Sequence, residues 1–161
     1  MQINIKKLHS DAIIPTYAKL GDAGMDITAI NVEYTDDYIQ YKTGLAFEIP
    51  EGYVMLIFPR SSNSKKDLLL CNSVGILDSG YRGELLIRYK RILNPHISKG
   101  VFYSTNSSDV DFDFNGNEYQ IGDKVAQIII IPYPSIEFNE VNTLSETERG
   151  EGGFGSTDIK K

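Results

Sequence analysis

Short apolar runs alternate with polar residues through the first 130 residues of the chain, and none keeps a helical spacing for three turns. Turn-forming residues separate these runs, as at Pro50-Glu51-Gly52. The pattern predicts strands over residues 2–8, 31–34, 39–42, 45–49 and 53–58. The most hydrophobic run, residues 128–131, is expected to be a central strand. Many short strands with regular turn signals favour an all-β sandwich or barrel.

Residues 75–84, with the sequence Gly-Ile-Leu-Asp-Ser-Gly-Tyr-Arg-Gly-Glu, lie between the apolar runs 67–71 and 85–89. The turn signal Asp78-Ser79-Gly80 predicts a β-hairpin with Asp78 at its tip. A carboxylate held there can accept a proton from water, while Tyr81 offers a flat face and Arg82 a partner for phosphate. The alternative is that Asp78 only caps a turn.

Two further segments carry polar side chains next to predicted strands. Residues 59–66, Pro-Arg-Ser-Ser-Asn-Ser-Lys-Lys, end a strand and can begin a short helix, whose free N–H groups with Arg60 and Ser61 would seat a phosphate. The alternative is a solvated basic turn. Upstream, two glycines within residues 21–26 predict a tight backbone that leads Asp26 into a strand.

The C-terminal tail contains Gly150-x-Gly152-x-x-Gly155, which formally matches the dinucleotide-binding fingerprint. That interpretation fails because no βαβ unit surrounds the glycines. The tail is then either a disordered end or a flap that becomes ordered on a ligand. Arg149 for a phosphate, Phe154 for a base and the hydroxyls of Ser156 and Thr157 favour the flap.

Composition limits the possible functions. The 161 residues suffice for one domain with its own core, and 16 basic against 22 acidic residues give a net charge of −6, which argues against coating nucleic acid. An acidic protein can still bind a polyphosphate where basic side chains converge or Mg²⁺ shields the ligand. The single cysteine, Cys71, and the absence of an apolar stretch near 18 residues predict a soluble cytoplasmic protein, with no membrane contact.

Taken together, these segments resemble the homotrimeric deoxyuridine triphosphatases (dUTPases). The five sequence blocks of that family occur in order, as Ala23-Gly24-Met25-Asp26, Pro59-Arg60-Ser61-Ser62, and residues 75–84, 122–127 and 149–157. The resemblance implies a single domain over residues 1–161, with an all-β jelly-roll (distorted barrel) body at 1–147 and a flexible glycine-rich flap at 148–161. It also implies a threefold trimer with its active sites at the subunit boundaries.

The resemblance implies hydrolysis of dUTP to dUMP and pyrophosphate, which limits uracil in DNA and supplies dUMP for thymidylate synthesis. Asp78 would deprotonate the attacking water and Tyr81 would pack on the deoxyribose. Mg²⁺ would be held by the triphosphate and waters, with Asp26 near its water shell and Lys124 at a basic position. The other implied substrate contacts are Asn72, Gly75, Ile76 and Leu77 for uracil, Arg60, Ser61, Ser62 and Gln127 for the phosphates, and Arg149, Phe154, Gly155, Ser156 and Thr157 in the flap, where Phe154 stacks on uracil.

Several features depart from the family pattern or leave alternatives. Gly80 and Asp158 stand where other residues are usual, and an insertion at about 98–119 is similar to those of some phage-encoded relatives, which leaves a phage origin open. The insertion could bind a regulatory protein partner or form a solvated hairpin. A related enzyme, dCTP deaminase, typically lacks a complete glycine-rich flap with phenylalanine, so the tail disfavours it.

Overall fold

The computed structural model describes residues 1–92 and 117–153, and these residues form ten β-strands and one short 3₁₀ helix. The helix spans Ser61–Lys65, as the sequence predicted, and the strands are β1 Asn4–Lys7, β2 Met25–Thr28, β3 Asn31–Tyr34, β4 Ile39–Lys42, β5 Leu45–Glu48, β6 Tyr53–Phe58, β7 Leu68–Leu70, β8 Gly75–Leu77, β9 Leu86–Arg91 and β10 Lys124–Pro132. The all-β prediction is confirmed, and most predicted strand bounds agree within one or two residues.

The strands form three antiparallel sheets, which together make the jelly roll. One sheet has the order β2-β10-β6-β8, a second has the order β3-β4-β9-β7, and β1 pairs with β5. β10 lies between β2 and β6, which confirms the predicted central strand. Its Val125, Ala126 and Ile128 are fully buried, so the hydrophobic run forms the middle of the core.

Three tyrosines connect the two four-stranded sheets. Tyr41 and Tyr89 are fully buried and meet edge-on at 6.0 Å between ring centroids, and Tyr119 packs against both. The hydroxyl of Tyr89 donates to the carbonyl oxygen of Val125 at 2.7 Å, which links β9 to β10. The hydroxyl of Tyr119 donates to Asn63 Oδ1 at 3.2 Å. The 3₁₀ helix is therefore hydrogen-bonded to the buried core.

The predicted hairpin around Asp78 is only half right. β7 and β9 do pair, with Leu70 opposite Tyr89. The segment between them is not a hairpin turn, because β8 crosses to the other four-stranded sheet and pairs with β6. Gly75 and Leu77 are buried while Ile76 is exposed, so this three-residue strand gains its stability from packing on the core. Asp78 thus follows an edge strand instead of sitting at a hairpin tip.

The predicted insertion at 98–119 falls mostly outside the described residues, and so do its predicted roles as a binding site for a partner or as a solvated hairpin. Its described end belongs to the core, since Tyr119 is 2% exposed. Glu118 beside it pairs with Arg91 at 2.6 Å. In the described part of the chain, no helix has the length and apolar character needed to span a bilayer.

Candidate active site

Strand register brings one carboxylate and two cations together at one end of the first sheet. Asp26 on β2 lies opposite Gln127 on β10, and Gln127 lies opposite Phe58 at the end of β6. Arg60 follows two residues later, and Lys124 begins β10. These positions place the charged side chains of Asp26, Arg60 and Lys124 at the same sheet end, and the substrate roles that the resemblance implied there stay predictions.

The carboxylate of Asp26 is shared between the two cations. Arg60 Nε donates to Asp26 Oδ1 at 2.7 Å, and Lys124 Nζ lies 2.8 Å from Asp26 Oδ2. Burial by itself would raise the pKa of Asp26, but the hydrogen bonds from Lys124 and Arg60 outweigh it and hold the pKa below its usual value. Two cations thus share one ionised carboxylate, and the local excess of positive charge suits an anion.

Polar side chains from the neighbouring elements surround this pair of cations. Arg60 Nη1 donates to Ser62 Oγ at 3.2 Å, and Ser61 is exposed at the start of the 3₁₀ helix. Gln127 Nε2 donates to the carbonyl oxygen of Pro59 at 3.1 Å. A methyl group in place of Gly24 would lie 3.3 Å from Gln127 Oε1, so the glycine leaves room for that amide. We call Asp26, Arg60, Ser61, Ser62, Lys124 and Gln127 the cationic cluster.

Replacing Asp26 by asparagine should destabilise the fold by about 1–2 kcal/mol near neutral pH, because Arg60 and Lys124 lose a half-buried charged partner. The pKa of Asp26 is lowered in the folded chain, so its contribution is fully present above the unfolded value of about 3.9 and is lost as the pH falls through the folded value. Denaturant unfolding of both proteins between about pH 3 and 7 measures this difference.

The difference in unfolding free energy between wild type and Asp26→Asn should become smaller as the pH falls towards about 3. Asp36→Asn is the matched control, since Asp36 is an exposed carboxylate in the turn between β3 and β4. A gap between wild type and Asp26→Asn that stays constant down to pH 3, or one that Asp36→Asn reproduces, contradicts the assignment.

Asp78 and Tyr81 are held together by the turn that follows β8. The N–H of Tyr81 donates to the carbonyl oxygen of Asp78 at 3.1 Å, and the Tyr81 hydroxyl donates to the carbonyl oxygen of Glu84 at 3.1 Å. Both residues are exposed, Tyr81 to 46%. We call residues 78–84 the Asp78 loop. It presents an exposed carboxylate and an exposed aromatic side chain from one short turn.

Arg82 clamps the Asp78 loop, a role that the sequence did not reveal. Its Nη1 donates to the carbonyl oxygens of Ser79 at 2.6 Å and Tyr81 at 3.0 Å, and its Nη2 lies 3.3 Å from Glu48 Oε1. Asn4 Nδ2 in turn donates to Glu48 Oε2 at 2.7 Å. The guanidinium predicted to meet phosphate is instead engaged by loop carbonyls. The contact between Arg82 and Glu48, which is distant in the sequence, distinguishes this role from phosphate binding. The sequence near Arg82 therefore does not show which of the two roles applies.

The strand that leads into the Asp78 loop offers main-chain groups to a ligand. Among the described strands, β8 is the last of its sheet, so one of its edges has no neighbour among them. Such an edge presents unpaired N–H and C=O groups. At Gly75 a methyl group would lie 3.0 Å from Asn72 Nδ2 and Ile57 Cδ1, so the glycine lets Asn72 approach β8. Ser73 before it has a φ of 57°, a strained conformation that often marks a binding loop.

Within one chain, the Asp78 loop and the cationic cluster lie at opposite ends of the sheet. Leu77, just before Asp78, lies opposite Met55, whereas Phe58 lies opposite Gln127. Phe58 lies three residue steps along the strand from Met55, which is about 10 Å, and Arg60 lies beyond Phe58. The structure therefore places the Asp78 loop and the cationic cluster at opposite ends of β6, while Gly75 lies opposite Ile57, nearer to the cluster.

The implied flap is described only at its start. Arg149 is exposed, and its Nε donates to the carbonyl oxygen of Gly152 at 3.0 Å, within a turn where Gly150 has a φ of 50°. Phe154, Gly155, Ser156 and Thr157 lie outside the described residues, as does Asp158. In the single chain Arg149 contacts its own turn, so its implied contact with phosphate stays a prediction.

The described residues hold no group of three or more acidic, histidine or cysteine side chains that could bind a metal ion directly. The implied arrangement, in which the triphosphate and waters hold Mg²⁺, stays a prediction. Asp26 is the carboxylate suited to the metal's water shell, because each oxygen of a carboxylate accepts more than one hydrogen bond.

The described chain is thus an all-antiparallel jelly roll. Its candidate site combines a cationic cluster with an exposed loop that carries an aspartate and a tyrosine. The dUTPase family model matches residues 10–158 of this chain. The deoxyuridine 5'-triphosphate nucleotidohydrolase of Hydrogenobaculum sp. (strain Y04AAS1) is 34% identical over 164 residues, which cover 99% of this chain and 100% of the relative. The chain belongs to the dUTPase family.

Solved structures of phage proteins agree with this assignment. The dUTPase of Staphylococcus bacteriophage 80alpha with dUPNHPP has a TM-score of 0.74 and 30% identity, covering 96% of this chain and 97% of that one; it is described as controlling the transfer of virulence genes. A mutant dUTPase of phage phi11 of S. aureus, described with a structural Mg(II) ion, has a TM-score of 0.65 and 27% identity, covering 89% and 98%.

Proposed function

We propose that this chain hydrolyses dUTP to dUMP and pyrophosphate at a site built from its Asp78 loop and a cationic cluster. Membership of the dUTPase family makes the chain a dUTP diphosphatase. The observation that carries the residue assignment is the exposed Asp78 carboxylate held by the same turn as the Tyr81 ring. The proposal includes a cytoplasmic location, limitation of uracil in DNA and supply of dUMP for thymidylate synthesis.

In the proposed reaction, the Asp78 carboxylate accepts a proton from a water molecule as the water oxygen attacks the α-phosphorus. The bond between that phosphorus and the bridging oxygen breaks, and pyrophosphate leaves with the electron pair. Positioned proton abstraction contributes roughly 10²–10⁴-fold to the rate. Alignment of the attacking and leaving oxygens and neutralisation of charge must supply the rest.

The cationic cluster is suited to the charge on the triphosphate. Arg60 is oriented by Asp26, so its remaining N–H groups are preorganised for phosphate oxygens. The hydroxyls of Ser61 and Ser62 and the amide of Gln127 add neutral hydrogen-bonding groups. Mg²⁺ bound to the triphosphate would supply further charge neutralisation, with Asp26 hydrogen-bonded to its waters.

Recognition of the nucleoside is assigned to the edge of β8 and the Tyr81 ring. Main-chain groups of Gly75, Ile76 and Leu77, with Asn72, can match the donor and acceptor pattern of uracil. Cytosine would leave some of these groups unpaired, which is costly in a buried site. Tyr81 packing on the deoxyribose would leave no room for a 2′-hydroxyl.

A homotrimer with shared sites is part of the proposal, and two surfaces of the single chain support it. The outer face of the first sheet is apolar, because Ile76, Leu56 and Ile129 are cross-strand neighbours that are half-buried or exposed. Beyond β10, residues 133–148 form an exposed arm whose apolar side chains face water, including Ile136 at 68%, Phe138 at 93% and Leu144 at 86% exposure. Contiguous apolar surface of this kind is typical of an interface.

Assembly would also bring an Asp78 loop close to a cationic cluster, although the two lie apart in one chain. A site needs phosphate contacts and the Asp78 loop within one triphosphate's length, whereas one chain holds them at opposite sheet ends. In a threefold ring, the Asp78 loop of one subunit can meet the cationic cluster of the next.

A regulatory protein partner that binds through residues 98–119 remains a second, compatible proposal. Its support is the resemblance to the phage 80alpha protein, which is described as controlling the transfer of virulence genes by a G protein-like mechanism. The described end of this segment is anchored by buried Tyr119, so a partner would have to contact residues that precede it.

The direct test is to incubate the protein with Mg²⁺ and dUTP, UTP, dCTP or dTTP and to quantify nucleoside monophosphate, pyrophosphate and ammonia. The proposal expects dUMP and pyrophosphate in equal amounts from dUTP and little product from the other three. Ammonia from dCTP would instead identify a deaminase. No pyrophosphate from dUTP would refute the proposal.

Ending the chain after Glu148 should leave a folded protein with activity reduced about 10–100-fold. The loss comes from the stacking of Phe154 on uracil, worth about 1–3 kcal/mol, and from the Arg149 contact with phosphate. Fold stability should be unchanged, because residues 149–153 are exposed or half-exposed and bond within their own turn. Steady-state kinetics and thermal unfolding of the two chains measure both effects.

A chain with only Lys160 and Lys161 removed is the matched control and should keep full activity. Unfolding of the chain that ends at Glu148 would assign the tail a structural role. Unchanged kinetics would remove the flap residues from the site.

A further inference from the structure

We propose that Gly83 is a positioning residue for sugar selectivity, because it leaves the space that the ring of Tyr81 occupies. The inference rests on the proposed function, in which Tyr81 excludes a 2′-hydroxyl. Gly83 does not touch substrate in this assignment. It acts through Tyr81, two residues earlier in the same loop.

The contact between the two residues is unusually close. A Cβ atom added at Gly83 would lie 2.4 Å from Tyr81 Oη, 2.6 Å from Cζ and 3.1 Å from Cε2. Non-bonded carbon atoms sit about 3.5–4.0 Å apart at their optimal separation. Even the smallest side chain at this position would therefore force a movement, because three atoms of a rigid ring lie in its path.

Steric room, and not backbone conformation, explains the glycine. Among the described glycines, the positive φ angles belong to Gly21, Gly44, Gly52, Gly122 and Gly150, so an alanine at position 83 meets no left-handed backbone. The ring lies across position 83 because the Tyr81 hydroxyl donates to the carbonyl oxygen of Glu84. A side chain at position 83 would need the space that the Tyr81 ring occupies when its hydroxyl makes that hydrogen bond.

The backbone on both sides of Gly83 is tied, so the ring is the part that would move. Arg82 Nη1 donates to the carbonyl oxygens of Ser79 and Tyr81. After the glycine, the N–H of Gly44 donates to Glu84 Oε1 at 2.7 Å, and the N–H of Leu85 donates to the carbonyl oxygen of Leu45 at 2.8 Å. The Tyr81 side chain is held at its end by the hydrogen bond from its hydroxyl to the carbonyl oxygen of Glu84, and the residue is 46% exposed, so its ring has room to move.

Displacement of the Tyr81 ring would change the surface on which the deoxyribose is proposed to pack. The proposed selection against UTP depends on a ring placed where a 2′-hydroxyl would otherwise fit, and steric exclusion fails when the wall shifts by an ångström or so. Loss of Gly83 should therefore lower the preference for dUTP over UTP more than it lowers fold stability.

The experiment measures kcat/KM for dUTP and for UTP in wild type, Gly83→Ala, Tyr81→Ala and the double variant. Gly83→Ala should reduce the ratio of the two kcat/KM values by about tenfold or more. In the Tyr81→Ala background, where the three contacted ring atoms are gone, the same glycine substitution should change the ratio less than twofold. This non-additivity is the signature of an effect carried by the ring.

Gly80→Ala is the matched control, because it adds a methyl group to the same loop at a position with no atom within 4 Å. It should leave the ratio unchanged. An unchanged ratio in Gly83→Ala, or an equal fall in the presence and absence of the Tyr81 ring, overturns the proposal. If Gly83→Ala unfolds, rescue of its thermal stability by Tyr81→Ala supports the contact, and failure of that rescue overturns it.

The outcomes separate this inference from the function on which it rests. A wild-type protein that does not hydrolyse dUTP refutes the proposed function itself. A wild-type protein that prefers dUTP, with a Gly83→Ala variant that prefers it equally, refutes only the role of Gly83.

Discussion

Replacing Asp78 by asparagine will reduce dUTP turnover by roughly 10²–10⁴-fold while the variant still binds a non-hydrolysable dUTP analogue. Asparagine matches aspartate in size and keeps one oxygen acceptor, but its amide cannot take a proton from water. The turn should persist, because its hydrogen bond joins the main-chain atoms of Tyr81 and Asp78. Single-turnover kinetics and calorimetric titration with the α,β-imido analogue measure the two effects.

Asp37→Asn is the matched control, since it removes an exposed carboxylate from the turn between β3 and β4. It should retain wild-type turnover. Two results would contradict the assignment of Asp78 as the base: turnover near the wild-type rate in Asp78→Asn, or a loss of analogue binding as large as the loss of rate.

The strands were predictable where a run of apolar residues carried its own signal. The alternation in 31–34, 39–42 and 53–58 gave strands with those bounds, and the apolar run at 128–131 became the middle of β10. Pro59 marked the end of β6, and the polar run after it contains the 3₁₀ helix, for the same local reason. Burial and turn chemistry act over a few residues at these positions, so a single sequence is enough.

The path of the chain around Asp78 was not predictable in the same way. Three residues of β8 are too few to show a period, and a turn signal between two apolar runs resembles a hairpin. What places β8 on the other sheet is its pairing with Met55, Leu56 and Ile57, about twenty residues earlier. Strand pairing over such a separation depends on the whole core and leaves no local mark.

The residues of the candidate site could be proposed from the sequence, but the contacts between them could be predicted only in part. The blocks of the family supplied Asp26, Arg60 and Asp78, but the pairing of Lys124 with Asp26 appears only when β10 and β2 lie side by side. The contacts of Arg82 with loop carbonyls and of Gly83 with the Tyr81 ring are equally dependent on the folded chain. No spacing in the sequence distinguishes a glycine that makes room for a ring from one that makes a turn.

The register of the first sheet has a consequence for how a complete site can form. Beyond Phe58, β6 leads to Arg60 in the cationic cluster, and near its other end it pairs with β8, which leads to Asp78. A rigid strand cannot bring its two ends together, and both groups are fixed by hydrogen bonds to the core or to the loop itself. Completion by a second copy of the chain, as proposed above, would leave these contacts intact.

Mixing two inactive variants should therefore restore about a quarter of the wild-type activity. One chain carries Asp78→Asn with an intact cationic cluster, and the other carries Arg60→Gln with an intact Asp78 loop. Arg60→Gln alone should lose roughly 10²–10³-fold in rate, because a charged donor to the developing phosphate charge is gone. After equal amounts are unfolded together and refolded, random assembly of a closed ring gives one site in four with both parts intact.

Two controls make this result interpretable. Each variant refolded alone must regain its native mass and stay inactive, and a chain with both substitutions mixed with Asp78→Asn must also stay inactive, since no mixed site can then hold an intact loop. If both parts of a site came from the same chain, no mixture of the two single variants could contain an intact site. Well-mixed trimers without recovered activity would therefore show that the Asp78 loop and the cationic cluster of one chain serve the same site, against the separation that the strand register requires.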